Sequence, residues 1–326
     1  MELENIQRGD ALQILEQYPK ASCSQQIGLA NPLKSDALTE LKILTANIVC
    51  FPDSLPYLYG GVRPWKMRID KLVDVIVDNN ADIVCLQEVW DPEAMQTLVD
   101  KLKNSYAFFI YNGGDPAGTM NVNKMGYNSG LFIASKLPLQ SSDFLRFPRS
   151  IPQGSNRGVL TVTLEAGGQR VTLFYTHLQH GDTPEQVAIR KEQLHFCYEH
   201  LQNITAPTSP QSMGVLVGDL NINAFLPECS ESGLSHMFSI PYIANLTDIA
   251  DKATCSNYFN DLVLTPLDQR NKIQPTYELL DYCIAPADSY PKEPEQVLIP
   301  LAFTDHASDS LSDHHALLTT WPLDKH

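Results

Sequence analysis

The chain has 326 residues, 43% of them hydrophobic, enough for one large domain or two small ones with an ample core. Lys and Arg number 23 against 38 Asp and Glu, a formal net charge of −15. A field of that sign repels a polyanion and argues against nucleic acid as the partner. No apolar run approaches the ~20 residues of a transmembrane span.

The 7 cysteines show neither CxxC nor a Cys/His zinc spacing, and Cys50, Cys85 and Cys283 sit in or beside apolar runs as small buried thiols. Met1-Glu2-Leu3-Glu4 lacks the basic start and apolar core of a signal peptide. The expected location is cytoplasmic, or outside the cell by a route that needs no such signal.

Residues 1–40 have no clear period and are expected to form an N-terminal extension packing on a domain that spans 41–326. Leu41 to Asn47 reads as a first core strand that ends on a polar residue. Met67, Ile69, Leu72, Val73, Ile76 and Val77 recur at near-helical spacing, predicting an amphipathic helix over 65–79. Ala81 to Glu88 is a second buried strand, and Asp91 followed by Pro92 reads as the cap of another helix. Residues 106–111 and 127–135 read as strands. The alternating segment 157–165, Gly167-Gly168 and segment 170–177 carry a hairpin signature. Thr183 to Leu201 reads as one long helix.

Val215-Leu216-Val217 is an uninterrupted apolar run, as suits a strand covered on both faces. Gly218 lets the backbone approach its surroundings closely, and Asp219 and Asn221, two apart, would point the same way on a strand. The other reading of this stretch is an Asx turn closing the strand. Residues 245–275 look polar and loop-rich, 277–284 and 296–303 return as strands, and the last strand is expected to start at Ser312.

Asn47, Glu88, His177, Asp219, Asn221, Asp281, Asp313 and His314 thus all fall at or near strand ends. Each has an ordinary alternative: a turn former, a solvated charge, a satisfied core histidine or an ion pair. Together they hold several carboxylates, two histidines and two amides, the inventory of metal-assisted phosphoester hydrolysis.

The motifs TAN (45–47), LQEV (86–89), NSGLFIASKLP (128–138), RGVL (157–160), YTHLQ (175–179), GDLNIN (218–223), LLDYCI (279–284) and SDHHAL (312–317) follow in one order. With them the chain resembles the endonuclease/exonuclease/phosphatase superfamily of DNase I-like enzymes, and within it neutral sphingomyelinases and related phospholipases C. The resemblance implies an α/β fold, a four-layer α-β-β-α sandwich of two packed mixed sheets. It implies Mg²⁺, with Mn²⁺ as a substitute, held by Glu88, Asn47 and Asp313. His314 would be the general base, oriented by Asp281. Asp219 and Asn221 would position water and phosphate, and His177 would donate a hydrogen bond to a phosphate oxygen. His315, the next residue along a strand, would face the other way.

On the substrate side, Asn128, Tyr57, Tyr59 and Trp65 are expected at the ligand, the aromatic residues meeting a choline ammonium or the lipid interface. Core packing is the alternative for these rings. The implied partner is a phospholipid at a membrane surface, cleaved to release phosphocholine. A nuclease or nucleotide phosphodiesterase on the same site, and a non-catalytic binding module, are the competing readings. Secreted bacterial sphingomyelinases carry an exposed aromatic hairpin between the LDY-like and SDH-like motifs; here that interval holds Tyr290, Pro291, Lys292 and Pro294 and no Trp.

Overall fold

The structure, a computed structural model, describes residues 20–21, 23–53, 62–111, 128–151, 156–205, 212–240, 253–256, 277–287, 292–302 and 310–323. The first part of the chain gives strands β1 (Lys20–Ala21), β2 (Ser24–Ile27) and β3 (Glu40–Cys50), helix α1 (Trp65–Asp78), β4 (Ile83–Val89), α2 (Pro92–Leu102), β5 (Phe108–Tyr111) and β6 (Phe132–Ser135). The middle gives β7 (Leu139–Arg146), β8 (Gly158–Ala166), β9 (Gln169–His177), α3 (Pro184–Thr205) and β10 (Ser212–Asp219). The rest comprises α4 (Glu228–Glu231), α5 (Leu234–Met237), β11 (Phe238–Ser239), β12 (Cys255–Ser256), β13 (Tyr277–Glu278), β14 (Asp281–Pro286), β15 (Glu295–Ile299) and β16 (Ala316–Pro322).

The long strands make two 7-stranded sheets, ordered β1-β7-β8-β9-β10-β14-β11 and β15-β16-β3-β4-β6-β5-β2. Both are mixed: β9 and β10 run parallel, as do β3 and β4, while their other neighbours run antiparallel. The burial pattern explains the layering. Ile43, Ile83, Cys85 and Ile133 of one sheet meet Leu160, Val162, Leu173, Val215 and Cys283 of the other in the inner core. Alternate residues point outward. Leu44, Ala46 and Leu86 pack under α1 and α2, whereas Phe174, Leu216 and Ile284 pack with Leu194 and Leu201 of α3. The result is the expected four-layer sandwich. No described helix is long and apolar enough to cross a membrane.

Local chemistry accounts for the element ends. The Asp91 carboxylate accepts from the Glu93 amide at 2.9 Å, with Pro92 in the first turn of α2. Thr183 and Gln186 form a reciprocal cap at the start of α3. Gly167 and Gly168, at φ +58° and +76°, close the β8–β9 hairpin in the mirror-image turn that matches strand twist.

Several expectations change. The buried side of α1 is Trp65, Arg68, Ile69, Leu72 and Ile76, and Met67 is 63% exposed. Leu279 and Leu280 interrupt the strand read over 277–284, because the Leu280 carbonyl turns to accept from Leu220 N. The final strand starts at Ala316, after an irregular segment pinned by isolated bridges. Lys20–Ala21 and Ser24–Ile27, in the stretch read as an extension, each add an edge strand, one to each sheet. Most of 245–275 lies outside the described residues.

Candidate active site

Strand register builds half of the site. Val171, Leu173 and Tyr175 face inward from β9, and the alternation carries His177 to the same face. Met213, Val215 and Val217 do the same for Asp219, and Cys283 and Ala285 for Asp281. In the ladder His177 pairs with Asp219, and Asp219 with Asp281. Three buried polar groups therefore stand in one row across adjacent strands, continuing the apolar row below it. Gly218 (φ +129°) makes this possible, since a Cβ there would lie 1.9 Å from the Thr176 carbonyl oxygen.

The facing sheet supplies the other half. Asn47 points inward from β3, and its amide nitrogen donates to Asp219 Oδ2 at 3.2 Å across the sandwich. Glu88 breaks the alternation. Leu86 packs outward and Gln87 inward, so a regular strand would send Glu88 outward again. Instead Glu88 has φ +58°, a left-handed backbone that costs about 1–3 kcal/mol for a residue with a side chain. The carboxylate lies within electrostatic reach of Asn47, Asp313 and Asp219.

The chain segment carrying His314 is held from both sheets. The Ser312 hydroxyl donates to the Asn47 carbonyl at 2.6 Å and accepts from His314 N at 3.3 Å. Arg68, buried on α1, donates to the carbonyls of Ile48, Val49 and Leu311. His314 Nδ1 then lies 2.7 Å from Asp281 Oδ2, and its Nε2 is 4.0 Å from Asp219 Oδ2. His315 is turned away: its amide donates to Thr254 O at 2.7 Å, and its Nδ1 accepts from Leu301 N at 3.5 Å.

The electrostatics follow from crowding. Burial, then the Asp313 charge, pushes the Glu88 carboxyl up to about 7. Burial and Asp281 raise Asp219, against hydrogen bonds from Asn221 N and Asn47. Burial pushes His314 down, but Asp281 more than offsets it and leaves the imidazole well above its ordinary value. Burial, then Arg157, holds His177 well below the usual range, so it is neutral. Its Nδ1 is buried with no partner, as is Asp281 Oδ1.

Asp219, Asp281 and His314 each bring a ligand atom within 4.8 Å of the others, a spacing that could hold a metal ion. The donor set as a whole fits a hard cation. It is dominated by oxygen, it is crowded with carboxylates whose protons are held too tightly, and one buried carboxylate oxygen is unpartnered.

Four expected residues stand differently. Trp65 is 2% exposed in the core, its indole donating to Asp91 at 3.0 Å and Lys66 Nζ standing 5.3 Å from its ring centroid, so the ring is closed to a choline head group or a lipid surface. Asn128 accepts from Gly130 N and donates to Trp90 O, closing the turn into β6 and leaving one N–H for a ligand. Asn221 does not share a strand face with Asp219. At φ +53° its amide donates to Asp219 Oδ1 while its side chain donates to Leu178 O, so the Asx turn forms. Asn47 turns its nitrogen to Asp219 Oδ2 at 3.2 Å, while its oxygen accepts from Val49 N at 3.3 Å. Tyr57 and Tyr59 lie outside the described residues.

Arg157 was missed. Its guanidinium donates to the carbonyls of His177 and Leu178, and it lies close enough to Glu88 and Asp219 to feel both charges. The signal was the Arg that opens RGVL, at the entry to a strand whose neighbour ends on His177.

The Endonuclease/Exonuclease/phosphatase family profile matches residues 45–314, and the chain belongs to that family. Among curated relatives, sphingomyelin phosphodiesterase 5 of Danio rerio is 31% identical over 170 residues, which cover 48% of this chain and 31% of that protein. The match thus spans under a third of that relative's length. Sphingomyelinase C of Bacillus cereus is 25% identical over 320 residues, covering 88% of this chain and 90% of that protein. Among solved structures, sphingomyelinase C from Streptomyces griseocarneus superposes with TM-score 0.63 at 19% identity, over 86% of this chain and 99% of the other. TDP2 of D. rerio, complexed with a single strand DNA product, gives 0.64 at 20%, over 86% and 98%. Shape therefore establishes the DNase I-like fold and does not choose between lipid and nucleic acid.

Proposed function

We propose that this protein is a metal-dependent phosphodiesterase that cleaves a choline phospholipid, sphingomyelin first, releasing phosphocholine by direct attack of water. The observation that carries the reading is the His314–Asp281 pair, 2.7 Å apart and facing Asp219 in the buried row. Asp281 holds the proton on Nδ1 of His314; a divalent cation offsetting the carboxylate charge that raises the imidazole would leave Nε2 unprotonated, as the acceptor for the proton of the attacking water. Asp281 also stabilises the imidazolium formed. Asp219 orients that water. Neutral His177 and the remaining N–H of Asn128 donate to phosphate oxygens, and Arg157 supplies a positive charge beside them. Asn221, tied into its turn, holds the Asp219 carboxylate in place.

Glu88, Asp313 and Asn47 would hold the divalent cation, Asn47 after its amide turns over to present oxygen. A bound divalent ion polarises a phosphoryl oxygen and offsets charge on the leaving alkoxide. Assigning the ion to this side keeps His314 Nε2 free, which a base requires. No side-chain nucleophile is needed, so phosphorus inverts. The lipid assignment is supported by sequence similarity to a sphingomyelinase along 88% of the chain and by the net charge of −15. A zwitterionic head group is not repelled by that field, whereas a polyanion is.

The test uses sphingomyelin carrying a chiral phosphorothioate, hydrolysed in water labelled with heavy oxygen so that the product phosphorus remains stereogenic. Turnover with inversion supports direct attack. Retention indicates an enzyme-bound intermediate and overturns the mechanism.

A further inference from the structure

Neither partner of the His314–Asp281 pair is placed by a regular element alone. Asp281 follows the break at Leu279–Leu280, and His314 precedes β16. Both segments converge on Thr254, which is fully buried. Its hydroxyl oxygen accepts from Leu280 N at 3.0 Å and from Asp281 N at 3.3 Å, and the hydroxyl donates to Glu278 O at 3.5 Å. These bonds use both lone pairs and the one proton that a threonine hydroxyl has. Its carbonyl accepts from His315 N at 2.7 Å, and the next residue, Cys255, bridges His314 on one side and pairs with Glu278 on the other.

We propose that Thr254 is the positioning residue of the pair: its hydroxyl sets the chain of Asp281, its carbonyl sets the chain of His314, and together they fix the 2.7 Å contact. The proposal rests on the reading of His314 as general base. Without the hydroxyl, two buried amides at the break lose their acceptor and the Asp281 backbone must shift to find another. A displacement of about 1 Å in a reacting group can cost ~10²-fold in rate. Substrate binding, which uses other groups, should be little affected.

The experiment compares Thr254→Val, which keeps shape and loses the hydroxyl, with Thr254→Ser, which keeps the oxygen. Phosphocholine release from sphingomyelin micelles with Mg²⁺ is measured on the full chain. Alongside, the downfield Nδ1–H resonance of His314 is followed by NMR, assigned by its loss in Asp281→Asn. The Val variant should lose ~10- to 10²-fold in kcat with KM within about 2-fold, and its downfield proton should move upfield or broaden. Ser should recover most of both. If Val fails to give a native near-ultraviolet signal, Thr254→Cys, close in size and a far weaker acceptor than a hydroxyl, takes its place with the same expectation. Wild-type kcat with an unmoved proton overturns the proposal, as does a Ser variant no better than Val, or a rise in KM at intact kcat. A shifted proton in the Val variant, combined with full activity in His314→Ala, upholds the positioning role and overturns the general-base reading instead.

Discussion

Asp219 and Asp281 stand directly opposite each other on antiparallel strands, both buried and both on the inner face of their sheet. Like charges in a cross-strand pair repel, and the pair is held by what surrounds it. His314 bonds Asp281, while Asn47 and the Asn221 amide bond Asp219. The pairing sets the carboxylate that bonds His314 beside a second carboxylate in one buried row.

His314 should therefore be far more sensitive than its neighbour. His314→Ala and His314→Gln are expected to lower kcat at least ~10²-fold, the low end for lost acid–base catalysis. His315→Ala should change kcat little at equal folding, because its side chain is turned towards Leu301. Steady-state kinetics of the three variants decide this. An exchange of the two outcomes would remove His314 as the base.

The carboxylate crowd fits a divalent cation. Excess EDTA is expected to abolish turnover, and Mg²⁺ or Mn²⁺ to restore it. Glu88→Ala should lose most of its activity while keeping the wild-type circular dichroism spectrum. Full turnover in EDTA contradicts the metal assignment.

The same crowding predicts a pH dependence of stability. The folded protein holds the Glu88 proton up to about pH 7, against an ordinary 4.5, so ionising Glu88 costs stability as pH rises through that window. Glu88→Gln removes the cost. His177, held low, acts in the opposite sense below its ordinary value and is common to both proteins. In EDTA, the variant should match the wild type near pH 4.5 and exceed it in Tm at pH 8. Adding Mg²⁺ at pH 8 should raise the wild type selectively. A Tm difference that is the same at both pH values would falsify the account of Glu88.

Trp65 belongs to the core. Trp65→Ala is expected to cost about 3–5 kcal/mol in denaturant unfolding, as for other buried large-to-small changes. Its KM for lipid in mixed micelles should stay near wild type where the variant is folded. A selective loss of lipid affinity at unchanged stability would restore the interfacial role.

The sequence makes His177, Asp219 and Asp281 readable as polar residues at the ends of apolar strands, while the shared face that makes them a row comes from the pairing register. Glu88 was readable as a strand-end carboxylate, but its left-handed backbone, which decides where it points, leaves no mark in residue type. Trp65 follows a loop rich in Pro, Gly and aromatic residues and so resembles a surface anchor. Only packing against the core and the bond to Asp91 show otherwise. Thr254 was hidden for a different reason: it acts on backbone amides distant in sequence, and no motif records such contacts. The edge strands at 20–27 are too short to carry a period of their own.

The central claim, that this site hydrolyses a choline phospholipid, is tested most directly by one side-by-side assay with Mg²⁺. Sphingomyelin and phosphatidylcholine in mixed micelles are set beside single-stranded, duplex and abasic DNA and RNA oligonucleotides, at low and physiological salt. Phosphocholine release and strand scission are both read. The account predicts phosphocholine release, greatest from sphingomyelin, lost in His314→Ala and Glu88→Ala, with no scission at either salt. Scission without lipid turnover would contradict it and assign the same residues to a nuclease.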